Sequence, residues 1–285
     1  MIYISSACSR KDKIGDAIEE LVAKGFKNVE LTGGTKYYEE YEYDVLRLKE
    51  KYDLNYVIHN YFPPPQEDFV LNLASLDDDI YQRSLRNLQK SIELSKKIEA
   101  TKFGFHVGFF VDINVGELGK KFRKQCIKNR KFSIKRFCDG FAKLKQESDG
   151  IDLYLENNAY SYSNYKVYKD QIPLMLLNFS DYADLKNIID FKLLLDLAHL
   201  NVSINSLNLN SDPEFNNMIN SSDYIHISNN NGLHDQNNGL SKVSFIDKIL
   251  RKYDLKEKTI TLEIYDDIDT VIQSYNFLSS TIVRV

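Results

Sequence analysis

The chain has 285 residues, 43% of them hydrophobic, and its 37 Lys and Arg stand against 41 Asp and Glu for a net charge of −4. That apolar content supplies one large α/β core or two smaller ones, and the acidic balance argues against a protein that grips a nucleic-acid duplex through its phosphates. No apolar run approaches the ~20 residues that cross a bilayer, so no membrane partner is expected. Cys8, Cys126 and Cys138 lack any CxxC spacing and the N-terminus enters a strand directly, so the expectation is a cytoplasmic protein with reduced thiols and no leader.

A strand-like run opens the chain at Ile2–Ser5 and is followed by a helical stripe of Ile14, Ala17, Ile18, Leu21 and Val22, with Gly25 as its stop. The next strand, Asn28–Leu31, precedes a Gly33-Gly34 turn, and a third runs over 54–58. Ser75 with Asp77, Asp78 and Asp79 reads as a cap and acidic first turn for a helix buried through Leu85, Leu88 and Ile92. A strand at 102–105 leads to the stripe Ile134, Phe137, Cys138, Phe141 and Leu144. Strands at 151–155, 191–195, 224–227 and Thr259–Leu262 follow, with helical stripes before the sixth and eighth and a last one from Ile268 to Leu278. Strands alternating with helices imply a parallel sheet, and eight repeats in a chain slightly longer than ~250 residues favour a closed (β/α)8 barrel over an open sheet. With no linker, repeat or GxGxxG to divide it, the chain reads as one α/β domain over 1–285. Three long connections, 60–74, 107–131 and 228–242, leave the carboxyl ends of strands, where barrels build their sites.

The chemistry gathers at those same ends. His59 and His106 end the third and fourth strands, His199 lies just beyond the sixth, His226 is in the seventh and His234 in the loop after it; none falls in a helical pattern. Glu156, Asp196 and Glu263 close the runs Leu153-Tyr-Leu, Leu193-Leu-Leu and Ile260-Thr-Leu. One polar residue at a strand end is ordinarily just hydrogen-bonded. Three carboxylates and four imidazoles converging on one axis are different, because buried acids repel unless a cation or tight donors compensate. A nitrogen and oxygen donor set without thiolate suits Zn²⁺, Mn²⁺, Co²⁺ or Fe²⁺.

At these residues the chain resembles the xylose-isomerase-like TIM barrels, a superfamily that includes sugar isomerases and epimerases, inosose dehydratases and endonuclease IV. Glu156, Asp196, His226 and Glu263 match the Glu–Asp–His–Glu metal set of the sugar isomerases and epimerases, and His199 completes an Asp-x-x-His pattern. His226 to Gly232 is similar to a His-x-x-Asp-x-x-Gly motif, with Asn229 in place of the usual Asp. His59, the Phe69-Val-Leu-Asn-Leu-Ala-Ser75 segment, Ser84 and His106 are similar to the region where endonuclease IV builds a second metal site shared with the Glu matching Glu156. The histidine of that enzyme's third site is missing, because its Asp-x-His reads Asp235 to Asn237 here.

The resemblance implies one or two divalent ions (Zn, Mn or Co) and a metal-dependent isomerase or epimerase acting through an enediolate, with Glu156 and Glu263 as acid and base on opposite faces. His199, Asn158, Asn229, His234 and Asp235 are the expected substrate-binding residues, Asn157, Asn230 and Asn231 being further amides nearby. The alternative it implies is an endonuclease-IV-like phosphodiester hydrolase acting on DNA, and a barrel that binds without catalysing is a third reading. Tyr61, Phe62 and Pro63-Pro-Pro65 suggest an apolar wall or lid. Lys120, Lys121, Arg123, Lys124, Lys128, Arg130, Lys131, Lys135 and Arg136 run without an intervening acid, as a solvated surface or as a contact for an anionic substrate such as a sugar phosphate or nucleotide-linked sugar. The expected partner is thus a small sugar rather than nucleic acid, with a homo-oligomer left open.

Overall fold

In the computed structural model, which describes residues 1–282, eight parallel strands close into one barrel in chain order. They are β1 (Ile2–Ser5), β2 (Asn28–Leu31), β3 (Asn55–His59), β4 (Lys102–His106), β5 (Asp152–Glu156), β6 (Lys192–Asp196), β7 (Ser222–Ile227) and β8 (Thr259–Leu262), the last pairing back onto β1. Around them run α1 (Ile14–Ala23), α2 (Tyr41–Tyr52), α3 (Asp78–Lys97), α4 (Arg130–Glu147), α5 (Tyr162–Tyr168), α6 (Phe179–Lys186), α7 (Leu197–Leu207), α8 (Ser211–Asn220), α9 (Phe245–Lys252) and α10 (Ile268–Ile282). The closed (β/α)8 barrel expected from the alternation of strands and helices is therefore the fold. No helix among the described residues is long and apolar enough to cross a membrane.

Local chemistry explains most boundaries. The α1 stripe buries Ile14, Ala17, Ile18 and Leu21, and Gly25 at φ 89° ends it while Phe26 N–H returns to the Leu21 carbonyl. The α3 cap is Asp77, whose carboxylate accepts from the Asp79 and Ile80 N–H groups; Ser75 lies outside and accepts from Asp77 N–H, which corrects the cap read from sequence. Strands β3 to β6 end one residue later than hydrophobicity suggested, on His59, His106, Glu156 and Asp196, because the ladder continues through a polar residue that points into the barrel mouth.

Side chains two apart along a strand share a face, so the inward layers follow from the sequence. Val57, Tyr154, Leu194 and Tyr224 sit two positions before His59, Glu156, Asp196 and His226, and they pack with Tyr3 as an apolar plug directly beneath those polar groups. The helices and the outward strand faces form the main core. A smaller cluster of Val70, Phe109, Val111, Phe122, Tyr160, Tyr168 and Leu174 fixes the long connections over the mouth. Phe62 belongs to the main core, fully buried and edge-on to Tyr41, so it forms no wall of the mouth.

Candidate metal centre

Register sets the polar ends in adjoining pairs at the mouth: His106 pairs with Glu156 and Asp196 with His226, while His59 pairs with Gly104, two residues before His106, and Glu156 with Leu194, two before Asp196. Glu263, one residue past β8, donates its N–H to the Ile227 carbonyl and so joins them. Asp196 has two structural duties. As the N-cap of α7 it accepts the His199 N–H on Oδ1 at 2.7 Å, and its own backbone is gripped by Asn157, which accepts from Asp196 N–H at 2.8 Å and donates to Asp196 O at 3.0 Å. The other oxygen, Oδ2, is buried with no donor.

Glu156 lies at the centre. Its Oε2 is 2.7 Å from His59 Nε2 and 3.2 Å from His106 Nε2, while Oε1 has no hydrogen-bond donor and lies 3.6 Å from Nδ1 of both His226 and His199. His226 Nδ1 is 3.2 Å from Glu263 Oε2, and Glu263 Oε1 accepts from the Tyr265 hydroxyl at 2.6 Å. Donor atoms of Glu156, Asp196, His226 and Glu263 all lie within 4.8 Å of one another; His59 joins Glu156 and His226 in a second such group, and His106 joins Glu156 and His199 in a third.

Glu156, Asp196 and His226 have no exposure, and Glu263 has 8%. Three carboxylates at that depth are costly unless neutralised, yet one oxygen of Glu156 and one of Asp196 find no donor. Those two orphans, facing an imidazole nitrogen and a third carboxylate, fit a divalent cation held by Glu156, Asp196, His226 and Glu263.

Burial and mutual charge set the proton affinities. Burial pushes Asp196 up to about 7 against the pull of His199. Glu156 is raised by burial but carried well below the usual carboxylate range by His106, His59 and His226. Glu263, likewise raised by burial, is brought down to about 2 by His226. Burial lowers His106 to about 4, which keeps its imidazole neutral. Burial also lowers His226 and His199, but carboxylates override it: Glu30, Glu263 and Glu156 lift the first, and Asp196 and Asp235 lift the second, well above the ordinary range.

The remaining expected site residues divide. His199 lies just beyond β6, as expected, but in the first turn of α7; this corrects the expectation that no histidine is helical, since Asp196 starts the helix at once. Its Nδ1 is 2.9 Å from Asn157 O and its Nε2 3.1 Å from Asp235 Oδ2, so His199 and Asp235 form a pair beside the main cluster. Asn158 turns away and donates to the Met175 carbonyl at 2.8 Å, bracing a loop. Asn229 donates to Ser241 Oγ at 3.3 Å, while His234 is exposed and belongs to none of the clusters. Asn237 donates its amide to the Glu263 carbonyl at 3.2 Å, a backbone brace where a ligand histidine would otherwise stand. Of the basic run, Lys128, Lys135 and Arg136 pair with Asp112, Asp139 and Asp78, and Lys120, Lys121, Arg123 and Lys124 are exposed.

Sequence reasoning missed Glu30 and Thr32. Glu30 is fully buried in the inward layer below the cluster, with Oε2 accepting from Tyr224, from Thr261 at 3.0 Å and facing His226 Nε2 at 2.9 Å; Thr32 Oγ1 lies 3.1 Å from His59 Nδ1. The available signal was a carboxylate between Val29 and Leu31 in an otherwise apolar strand.

The family model for the xylose isomerase-like TIM barrel matches residues 18–281. Among solved structures, a D-tagatose 3-epimerase-like protein aligns at TM-score 0.74 and 16% identity, over 100% of this chain and 97% of its own. The D-psicose 3-epimerase of Clostridium cellulolyticum aligns at TM-score 0.65 and 12% identity, over 99% of both chains. Endonuclease IV from Thermus thermophilus aligns at TM-score 0.62 and 14% identity, over 100% of this chain and 99% of its own. At such identities the likeness is one of fold. No curated protein matches the sequence.

Proposed function

The chain belongs to the xylose isomerase-like TIM barrel family, and from that membership we propose that it is a divalent-metal-dependent isomerase or epimerase of a sugar or an anionic sugar derivative, working with Zn, Mn or Co. The observation that carries this reading is the approach of two buried glutamates, Glu156 and Glu263, to the one His226 Nδ1, 3.6 and 3.2 Å from it, with Glu156 Oε1 and Asp196 Oδ2 lacking any hydrogen-bond donor.

A cation held by Glu156, Asp196, His226 and Glu263 supplies Lewis acidity, which stabilises the negative charge that develops on a sugar enediolate. The protein supplies the proton traffic. Glu263 is deprotonated at neutral pH, and its Oε1 is tied to Tyr265, so Oε2 is the oxygen turned to the centre. One glutamate removes the proton from the carbon beside the carbonyl; for isomerisation the carboxylic acid so formed returns it to the neighbouring carbon, and for epimerisation the other glutamate first takes a proton from solvent and then gives it to the opposite face. His199, held through Nδ1 by Asn157 O, and its partner Asp235 stand where a substrate hydroxyl can hydrogen-bond. His106, kept neutral, and His59 would orient the far end of the substrate or share a second ion with Glu156.

A second reading, an endonuclease-IV-like phosphodiester hydrolase, draws on the His59–Glu156–His106 grouping, which suits a second ion and a clamped phosphate. Asn237, turned to backbone, weighs against it.

Incubating the metal-loaded protein with ketohexoses and their phosphates in D₂O tests the first reading. Deuterium entering at the carbon beside the carbonyl is the expected result. No exchange with any sugar, together with cleavage of abasic DNA that weakens steeply as salt rises, would replace the isomerase reading by the hydrolase.

A further inference from the structure

Strand β2 gives the cluster no ligand, yet Glu30 within it and Thr32 just past its end touch the two most buried histidines. Glu30 and Thr32 are two residues apart and so project from the same inward face of the barrel. Glu30 Oε2 lies 2.9 Å from His226 Nε2, and Thr32 Oγ1 lies 3.1 Å from His59 Nδ1.

We propose that β2 is the tautomer-setting strand of the centre: Glu30 fixes the hydrogen of His226 on Nε2, and Thr32 fixes that of His59 on Nδ1, so His226 keeps a bare nitrogen for the ion of the four-residue group and His59 one for the ion it shares with Glu156. Both are positioning residues, and the inference rests on the metal reading above.

With an ion taking the nitrogens that face Glu263 and Glu156, the donor and acceptor inventory leaves one assignment at each ring. Glu30 Oε2 already takes the hydroxyl hydrogens of Tyr224 and of Thr261, the latter at 3.0 Å. Nothing on that oxygen can donate to His226, so Nε2 must carry the hydrogen, and Nδ1 is the nitrogen aimed at Glu263 and Glu156. With an ion between His59 Nε2 and Glu156, Nε2 is bare and the ring hydrogen sits on Nδ1, so Thr32 Oγ1, 3.1 Å away, accepts it and turns its own hydroxyl hydrogen to the Asn60 carbonyl at 3.4 Å. Without an ion, Nε2 at 2.7 Å from the Glu156 carboxylate carries a hydrogen instead, so the ion and Thr32 act on the same ring from its two sides. The two rings are thus held in opposite tautomers by one strand. A carboxylate behind a ligating imidazole also raises its basicity, and loss of such a partner typically weakens metal binding about 10–100-fold. Glu30 is otherwise hard to explain: it is a fully buried acid whose second oxygen has no donor, in a layer that Val57, Tyr154 and Leu194 fill with apolar atoms and phenol.

The test uses histidine-¹⁵N-labelled full-length protein loaded with Zn²⁺, and zinc competition against a chromophoric chelator. Expected are an Nε2–H signal for His226 and an Nδ1–H signal for His59. Glu30→Gln and Thr32→Val are each expected to lower zinc affinity about 10–100-fold, with Thr32→Ser restoring it. Thr32→Val removes no charge and nearly preserves volume, so it keeps the test open where Glu30→Gln fails to fold. Wild-type zinc affinity in both variants, or the opposite tautomer at either ring, overturns the inference alone. Zinc bound with the expected tautomers but no sugar turnover overturns the isomerase reading and leaves this one standing. A wild-type protein that takes up no zinc overturns both.

Discussion

His59 Nε2 lies 2.7 Å from Glu156 Oε2 although β4 stands between their strands. The contact crosses the barrel because Gly104, level with His59 on β4, has no side chain: a Cβ there would come within 3.1 Å of the His59 ring and 2.7 Å of a Leu194 methyl. Gly104→Ala is therefore expected to displace both side chains. Overpacking of this kind costs about 1–3 kcal/mol, readable as a lower denaturation midpoint, and the displaced ring should weaken metal uptake. A variant with unchanged stability and unchanged metal affinity would mean that His59 has room to move and that its distance to Glu156 is not set by β4.

Glu263→Gln keeps the shape of the side chain and can still pair with Tyr265, but it removes the carboxylate oxygen turned toward His226. Circular dichroism should be unchanged, while deuterium exchange into the substrate falls by about 10²–10⁴-fold, the usual contribution of a positioned proton-transfer group. Exchange at the wild-type rate would remove Glu263 from the proton path. Glu156→Gln should lose exchange as well, and should lose metal with it, because Glu156 touches both His59 and His106.

The convergence of acids and imidazoles was legible because of where these residues stand. Glu156, Asp196 and Glu263 each end an apolar run, and an acid is too costly to place there without a partner. Eight strands alternating with helices then imply a barrel, and a barrel brings such ends together. Asn158 was misleading, since an amide beside a ligand serves a backbone carbonyl as readily as a sugar hydroxyl. Asn157 shows the same thing in a more useful form, using both ends of its amide to hold Asp196 in register. Glu30 was invisible for another reason: one polar residue inside a short strand reads equally as solvent-facing, and only barrel closure decides that its face is the interior. His199 was read outside any helix because Asp196 ends a strand and caps a helix within a single residue, leaving no turn for sequence to display.

Removing the metal should destabilise the whole barrel. A ligand held at 100 times its dissociation constant stabilises the folded state by about 2.7 kcal/mol, and without it the buried carboxylates of Glu156, Asp196 and Glu263 are left to repel one another. Chelation should therefore lower the melting temperature by about 5–10 °C, and Zn²⁺, Mn²⁺ or Co²⁺ should restore it. Mg²⁺ should restore less, since an imidazole donor is poorly suited to it. A melting temperature indifferent to chelator, in protein first shown to be metal-loaded, would place the ion elsewhere.

The exposed cations of the β4–α4 connection separate a neutral sugar from an anionic one. Lys120, Lys121, Arg123 and Lys124 project from a backbone that is held firmly: Asn164 on α5 accepts the Phe122 N–H at 2.8 Å and donates to the Lys120 carbonyl at 3.1 Å, while the Tyr168 hydroxyl donates to the Arg123 carbonyl at 2.6 Å. Phe122 is buried among Tyr160, Tyr168 and Leu174, so the segment is anchored at its middle and its charges are presented from a fixed support. Four like charges on such a support favour an anion arriving at the mouth, and the effect is screened within about 8–10 Å at ordinary salt. Charge reversal by Lys121→Glu with Lys124→Glu is expected to raise KM for a phosphorylated ketose several-fold, to leave kcat near its original value, and to leave a neutral ketose unaffected. High salt should erase the difference between variant and wild type. Equal KM values for both substrates in both proteins would make the run an ordinary solvated surface and would point to an uncharged sugar as the substrate.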